Sequence, residues 1–197
     1  MDIDFSDLIS ERVKDLKARI TRIEDTAAQL KLSGPIEFLV SDIQPLSPKT
    51  GISIGVEPLE AMANLALAKA SFVYIYELVN PEDKKLLSEN YNASRGKLFQ
   101  NESRKVFTLA LPKKNTGNES ESKALYVGSV KSNIASRIKQ HLGNGYHGTY
   151  AMHLKHWASP DIKLRFYYIQ LDDSKITYEV EAALTKMLKP LLGKAEV

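Results

Sequence analysis

The most constraining feature of this chain lies past its middle, where Ala124-Leu-Tyr-Val-Gly128 runs directly into Ser-Val-Lys-Ser-Asn-Ile-Ala-Ser-Arg-Ile-Lys-Gln-His-Leu142. The first residues are apolar and aromatic, as a strand requires, and Gly128 breaks the run. Ile134, Ile138 and Leu142 then recur at four-residue spacing, the period of one helix face, which predicts a helix over about 131–142. Gly143-Asn-Gly145 stops it. A strand feeding a helix this directly calls for a domain that mixes the two.

The flanking segments extend that pattern. Phe72-Val-Tyr-Ile-Tyr-Glu-Leu-Val79 is dense in β-branched and aromatic residues and reads as a strand, as do 105–111 and 162–171. Helices are expected over about 58–70, 148–157 and 176–189, the first opening on Pro58 and the last stopping at Pro190. Residues 36–40 suit a short strand and 41–57, with Pro45, Pro48 and several Ser and Gly, a linker. The stretch 80–122 is polar and reads as an insertion, and Lys113–Ser122 within it has the composition of a mobile loop.

Residues 3–32 carry a different signal. Ile9, Val13, Leu16, Ile20, Ile23, Ala27 and Leu30 alternate spacings of four and three, the apolar seam of a short coiled coil of roughly three heptads. Ser33-Gly34-Pro35 ends that helix. The helix either packs on its own domain or serves as a homodimerisation arm. The expected organisation is a helical arm and linker over 1–70 and a domain over 71–197 with an insertion at about 80–122. The expected fold class is α+β, a small, mainly antiparallel sheet flanked by helices.

Composition bounds the rest. Hydrophobic residues make up 43% of the 197, enough for a core, and no apolar run approaches the roughly 20 residues needed to span a bilayer. No membrane partner is expected. The start is acidic and then amphipathic, so no secretory signal is expected either. With no cysteine there are no disulfides and no thiolate metal sites, which fits a cytoplasmic protein. The net charge of +3 permits nucleic-acid binding without arguing for it. Its distribution says more: residues 123–165 hold seven lysines and arginines, with Asp161 the one acid opposing them, and all four histidines. This is either a solvated basic face or a surface for phosphates, with Lys139 and Lys155 as candidate phosphate contacts.

Helical spacing puts Arg137 and His141 on one face, beside Tyr126 and with Lys131 where the helix begins. Two cations, a hydroxyl and an imidazole suit attack on a phosphodiester. The cations stabilise charge gathering on phosphorus, and a Tyr or His accepts the proton of an attacking water. Glu179 and Glu181 point to different sides of the last helix, so one of them can face the pocket. One carboxylate plus waters suits Mg2+, with Mn2+ as a substitute, better than Zn2+.

Leu-Tyr-Val-Gly128, Arg137 nine residues on and His141 four further resemble the second half of the GIY-YIG nuclease motif. Phe-Val-Tyr-Ile-Tyr76 resembles its first strand, and Glu181 through Pro190 its terminal helix. The likeness covers roughly 71–195. It implies a magnesium-dependent DNA endonuclease in which Tyr126 and Tyr74 or Tyr76 lie at the attacking water. Arg137 would stabilise the phosphate, His141 assist proton transfer and Glu181 hold the metal, with His147 as a further histidine of the substrate site. A restriction or defence-type enzyme cutting both strands as a dimer fits the short chain. Phe72 stands where the motif has Gly, and Gly193 where it has Asn. These departures motivate the alternative of a catalytically silent nucleic-acid-binding or assembly module.

Overall fold

The computed structural model describes residues 5–27, 30–44, 54–65, 70–100, 105–115 and 122–193. The outer residues of the expected arm, most of the 41–57 linker and the centre of the 113–122 loop lie outside them. At the centre is one four-stranded antiparallel sheet in the order β1-β6-β2-β5, formed by β1 (Ser33–Leu39), β2 (Ser71–Leu78), β5 (Ala124–Val130) and β6 (Lys163–Leu171). Among the described residues five α-helices accompany it: α1 (Phe5–Ala27), α2 (Ala61–Leu65), α3 (Asp83–Ser94), α4 (Ile134–Leu142) and α5 (Thr177–Leu188). The coarse expectation of an α+β fold with an antiparallel sheet is thus met. No helix among the described residues is long and apolar enough to cross a membrane.

Strand β2 is central, paired with β6 on one side and β5 on the other. That explains its unbroken run of large apolar side chains, because both of its faces are covered. Side chains alternate along it. Phe72, Tyr74, Tyr76 and Leu78 enter the larger core with Ile134, Ile138 and Leu142 of α4. Val73 and Ile75 enter a smaller core with Val180 of α5. Helices α4 and α5 therefore cover opposite faces.

Several segments depart from expectation. Strand β1 pairs with β6, Phe38 opposite Leu164, and Ile54, Val56, Leu59 and Met62 are buried in the main core. The part of the chain expected as arm and linker therefore closes the sheet and core. Residues 105–111 do not form a strand beside β5. Only Val106–Phe107 (β4) is extended, and it pairs with Phe99–Gln100 (β3) in a separate two-stranded ribbon. The helix expected over 148–157 is a single 3-10 turn at Leu154–His156, because His153 adopts a left-handed backbone (φ 52) and Ala151 N–H bonds to the Ala110 carbonyl. In the expected insertion, Asp83–Ser94 is helical and buries Leu87 and Tyr91.

Two local devices shape the ends of α4 and β5. Asn133 sits in the left-handed region (φ 54) and its side chain accepts the Ser136 N–H at 3.0 Å, capping α4. After α5, residues 190–193 run alongside β5, with Leu191 N–H bonding to the Ala124 carbonyl and Leu192 N–H to that of Leu125.

Candidate functional site at the β5 edge

The site draws on two strands and two helices. Strand β2 supplies Tyr74 and β5 supplies Tyr126 and Gly128, with Gly128 directly opposite Tyr74 in the ladder. A Cβ at residue 128 would lie 2.7 Å from Tyr74 Oη and 2.6 Å from the Tyr126 ring, so only glycine lets both rings close over the strand. The rings of Tyr74 and Tyr126 stack at 6.3 Å, and the His141 ring tilts onto Tyr126 at 4.6 Å.

Helix α4 supplies Arg137 and, one turn later, His141. Arg137 Nε–H donates to Tyr74 Oη at 3.1 Å, Nη1 to Gln140 Oε1 at 2.9 Å, and Nη2 to the Tyr150 carbonyl at 2.9 Å and to Tyr126 Oη at 3.5 Å. Four of its five N–H donors are thereby engaged. The guanidinium is clamped in place, half-buried and charged. Burial would pull its pKa down, but the Tyr74 and Tyr126 phenols more than offset that and hold it up.

His141 is fully buried, and burial, then the Arg137 charge, push its pKa well below the usual imidazole range. The ring is therefore neutral at neutral pH. Met152 N–H donates to Nδ1 at 3.2 Å, so the ring proton is on Nε2, which donates to Tyr74 Oη at 2.9 Å. Tyr74 Oη then accepts from both Arg137 and His141, and its own proton must point elsewhere. Burial, reinforced by the Tyr126 phenol, raises the Tyr74 pKa. Burial is also the main cause of the rise at Tyr126.

The tyrosines are not equivalent. Tyr74 is in the network and fully buried. Tyr76 is equally buried, but its hydroxyl has no hydrogen-bond partner among the described residues. Tyr126 is 9% exposed and is the phenol nearest solvent. Of the two tyrosines the sequence left open, Tyr74 is hydrogen-bonded to Arg137 and His141, whereas Tyr76 meets the His141 ring without a hydrogen bond.

Glu181 comes from α5, on the opposite face. It accepts a hydrogen bond from Ser129 Oγ on β5 at 2.5 Å through Oε2, and Oε1 has no hydrogen-bond partner among the described residues. The carboxylate is not bonded to the tyrosine–arginine cluster. Its charge nevertheless reaches across the strand edge, raising the pKa values of both Tyr74 and Tyr126. Among the described residues no group of three or more His, Asp or Glu converges as a metal site. A single half-exposed carboxylate fits a hydrated hard cation, which keeps most of its waters.

Other expected site residues lie apart. Lys131 is exposed in the turn after β5, where its carbonyl accepts from Ser71 Oγ. Its side chain makes no recorded contact with the cluster among the described residues. Lys139 is half-buried on α4, and Lys155 is exposed and donates to Asn144 Oδ1 at 2.5 Å. His147 is stacked flat on Phe107, with centroids 3.7 Å apart, and its pKa is lowered by burial and by the Lys155 charge. Three contributors went unseen in the sequence: Ser129, Gln140 and the Tyr150 carbonyl. The first two left a signal, since Ser129 follows the strand-ending glycine and Gln140 is one helical turn from Arg137. A backbone carbonyl leaves none.

Comparison with protein-family models, curated proteins and solved structures finds no match to this chain.

Proposed function

We propose that this protein is a divalent-metal-dependent DNA endonuclease of the GIY-YIG type, with its site at the β5 edge. The observation that carries the reading is the clamped Arg137. It is a fixed cation amid phenols and an imidazole that are neutral at neutral pH, and one donor on Nη1 has no acceptor among the described residues. Such a group stabilises a phosphate whose charge grows in the transition state, at no cost of reorganisation. Tyr126, the phenol nearest solvent, faces the attacking water. Tyr74 and His141 act behind it, holding the guanidinium and the rings in register. Glu181 holds Mg2+ or Mn2+ through its open oxygen, and such an ion, when bound, activates water and steadies the leaving oxygen.

A restriction or defence-type role follows if two copies cut both strands, joined through α1. The test is nicking of supercoiled plasmid by wild type, Arg137→Ala and Glu181→Ala, with Mg2+ and with chelator. Mg2+-dependent nicking by wild type alone supports the reading, and equal activity in all three refutes the assigned roles.

One observation favours a second reading. The Tyr74 hydroxyl, central to the network, is wholly buried. A catalytically silent nucleic-acid-binding module would tolerate that burial. Tight DNA binding that is independent of metal and unaccompanied by cleavage supports this second reading.

A further inference from the structure

The segment Gly143–Tyr150, between α4 and the 3-10 turn, presents the two most exposed tyrosines among the described residues, Tyr146 at 78% and Tyr150 at 71%. The backbone beneath them is firmly held. Gly145 lies so close to α4 that a Cβ there would meet Gln140 Cγ at 2.7 Å and Cα at 3.0 Å. The Tyr150 carbonyl accepts from Arg137, the His147 carbonyl accepts from Ala110 N–H, and the Thr149 carbonyl is 2.9 Å from His153 Nε2. The Tyr146 ring rests directly on Gly148, where a Cβ would lie 2.6 Å from the ring. These rings are therefore apolar surfaces offered to solvent from an anchored base. Rigid aromatic area of that kind marks a binding surface more than scattered exposed residues do.

The position of the segment says what it binds. Its Tyr150 carbonyl is bonded to the guanidinium assigned to the scissile phosphate, its Gly145 packs on Gln140, which bonds the same guanidinium, and Lys139 and Lys155 flank it in sequence. Cations that track a backbone, interleaved with aromatic faces, are the makings of a single-strand platform. Bases inside a duplex have both faces covered, so a side chain stacks on a base only where it is unpaired.

We infer that Tyr146 and Tyr150 form a stacking platform for unpaired nucleobases beside the cut, so that the strand being cleaved is locally unpaired there. The inference rests on the nuclease reading for the place of the phosphate, but its test does not need cleavage. A 12-nucleotide single strand carrying one 2-aminopurine, and the same strand in a duplex, are titrated with wild-type protein in chelator. Stacking quenches 2-aminopurine. Quenching by wild type, with the single strand bound at least tenfold more tightly than the duplex, supports the platform. So does a loss of affinity of about tenfold for each of Tyr146→Ala and Tyr150→Ala, with quenching lost in the double variant, because one stacked base contributes on that order. Tyr146→Phe keeps the stacking face and should bind as wild type, and Tyr178→Ala, which removes an exposed tyrosine on α5, should do the same. Unchanged quenching in the double variant overturns the inference, as does quenching seen only with the duplex. If wild type nicks plasmid while the tyrosine variants bind normally, the platform falls and the nuclease stands. If nothing is cleaved but quenching depends on both tyrosines, the platform stands and the nuclease reading falls.

Discussion

Two tyrosines two residues apart on one strand, Tyr74 and Tyr76, have the same burial and opposite roles. Tyr74 Oη accepts from Arg137 and His141, whereas Tyr76 Oη has no partner among the described residues. Removing the first hydroxyl strands two buried donors, at a cost of about 1–3 kcal/mol, while removing the second relieves an unsatisfied group and is close to neutral. Urea denaturation of Tyr74→Phe and Tyr76→Phe should show that split, and equal losses would contradict it. His141 sets a pH dependence in the same way. Burial depresses its folded pKa, so below the ordinary histidine pKa of about 6.5 the unfolded chain takes up a proton that the folded chain refuses. His147, His153 and His156 are also depressed chiefly by burial, His156 to about 4. Stability is therefore greatest above about 6.5 and falls as the pH drops through that value. A urea midpoint lower at pH 5.5 than at pH 7.5 is expected, and a flat or rising profile would oppose it.

Among the elements, α4 depends on the residue that caps its start. Asn133 supplies both the left-handed backbone and the cap on Ser136 N–H. Asn133→Ala should cost about 1–2 kcal/mol, while Asn133→Gly, which keeps the backbone freedom, should cost a few tenths. Thermal unfolding of the two variants reads the difference. Elements with a strong period were legible in the sequence, because one buried face imposes it: β2, β5, α4, β6 and α5 all lie close to where their patterns put them. Helix α3 was missed because its charged residues hide Leu87 and Tyr91, a single apolar pair at four-residue spacing. The helix expected over 148–157 gave way to contacts its local propensity does not encode, the bond from Ala151 to Ala110 and the stacking of His147 on Phe107. The place of β1 was illegible for a related reason: its partner, β6, lies more than a hundred residues away. Within the site, the Arg137–His141 pairing was readable from helical spacing. That α5 approaches from the opposite face, so that Glu181 reaches the cluster only across the strand edge, was not.

For the whole molecule, α1 carries an apolar seam that is exposed at four of its described positions. Ile9, Val13, Leu16 and Ile20 are 43–64% exposed. A 23-residue helix without tertiary cover is marginal in water, and a seam with Val13 and Ile20 at one set of heptad positions and Leu16 at the other suits pairing with a second copy. Wild type should sediment as a dimer and Leu16→Asp/Ile20→Asp as a monomer with its sheet intact, whereas the same mass for both would remove α1 from the assembly. Pairing would set two β5 edges within one particle, as cutting both strands requires. The account as a whole depends on Arg137 and Glu181 serving one phosphate from opposite faces of a thin strand edge. The most direct measurement is the single-turnover rate of Mg2+-dependent cleavage of an end-labelled DNA by wild type, Arg137→Ala, Glu181→Gln and the double variant, each first shown to be folded. The account predicts a loss of about a hundredfold or more for each single variant, with little further loss in the double, because the two groups act on the same reacting atoms. Wild-type rates in both single variants would contradict it.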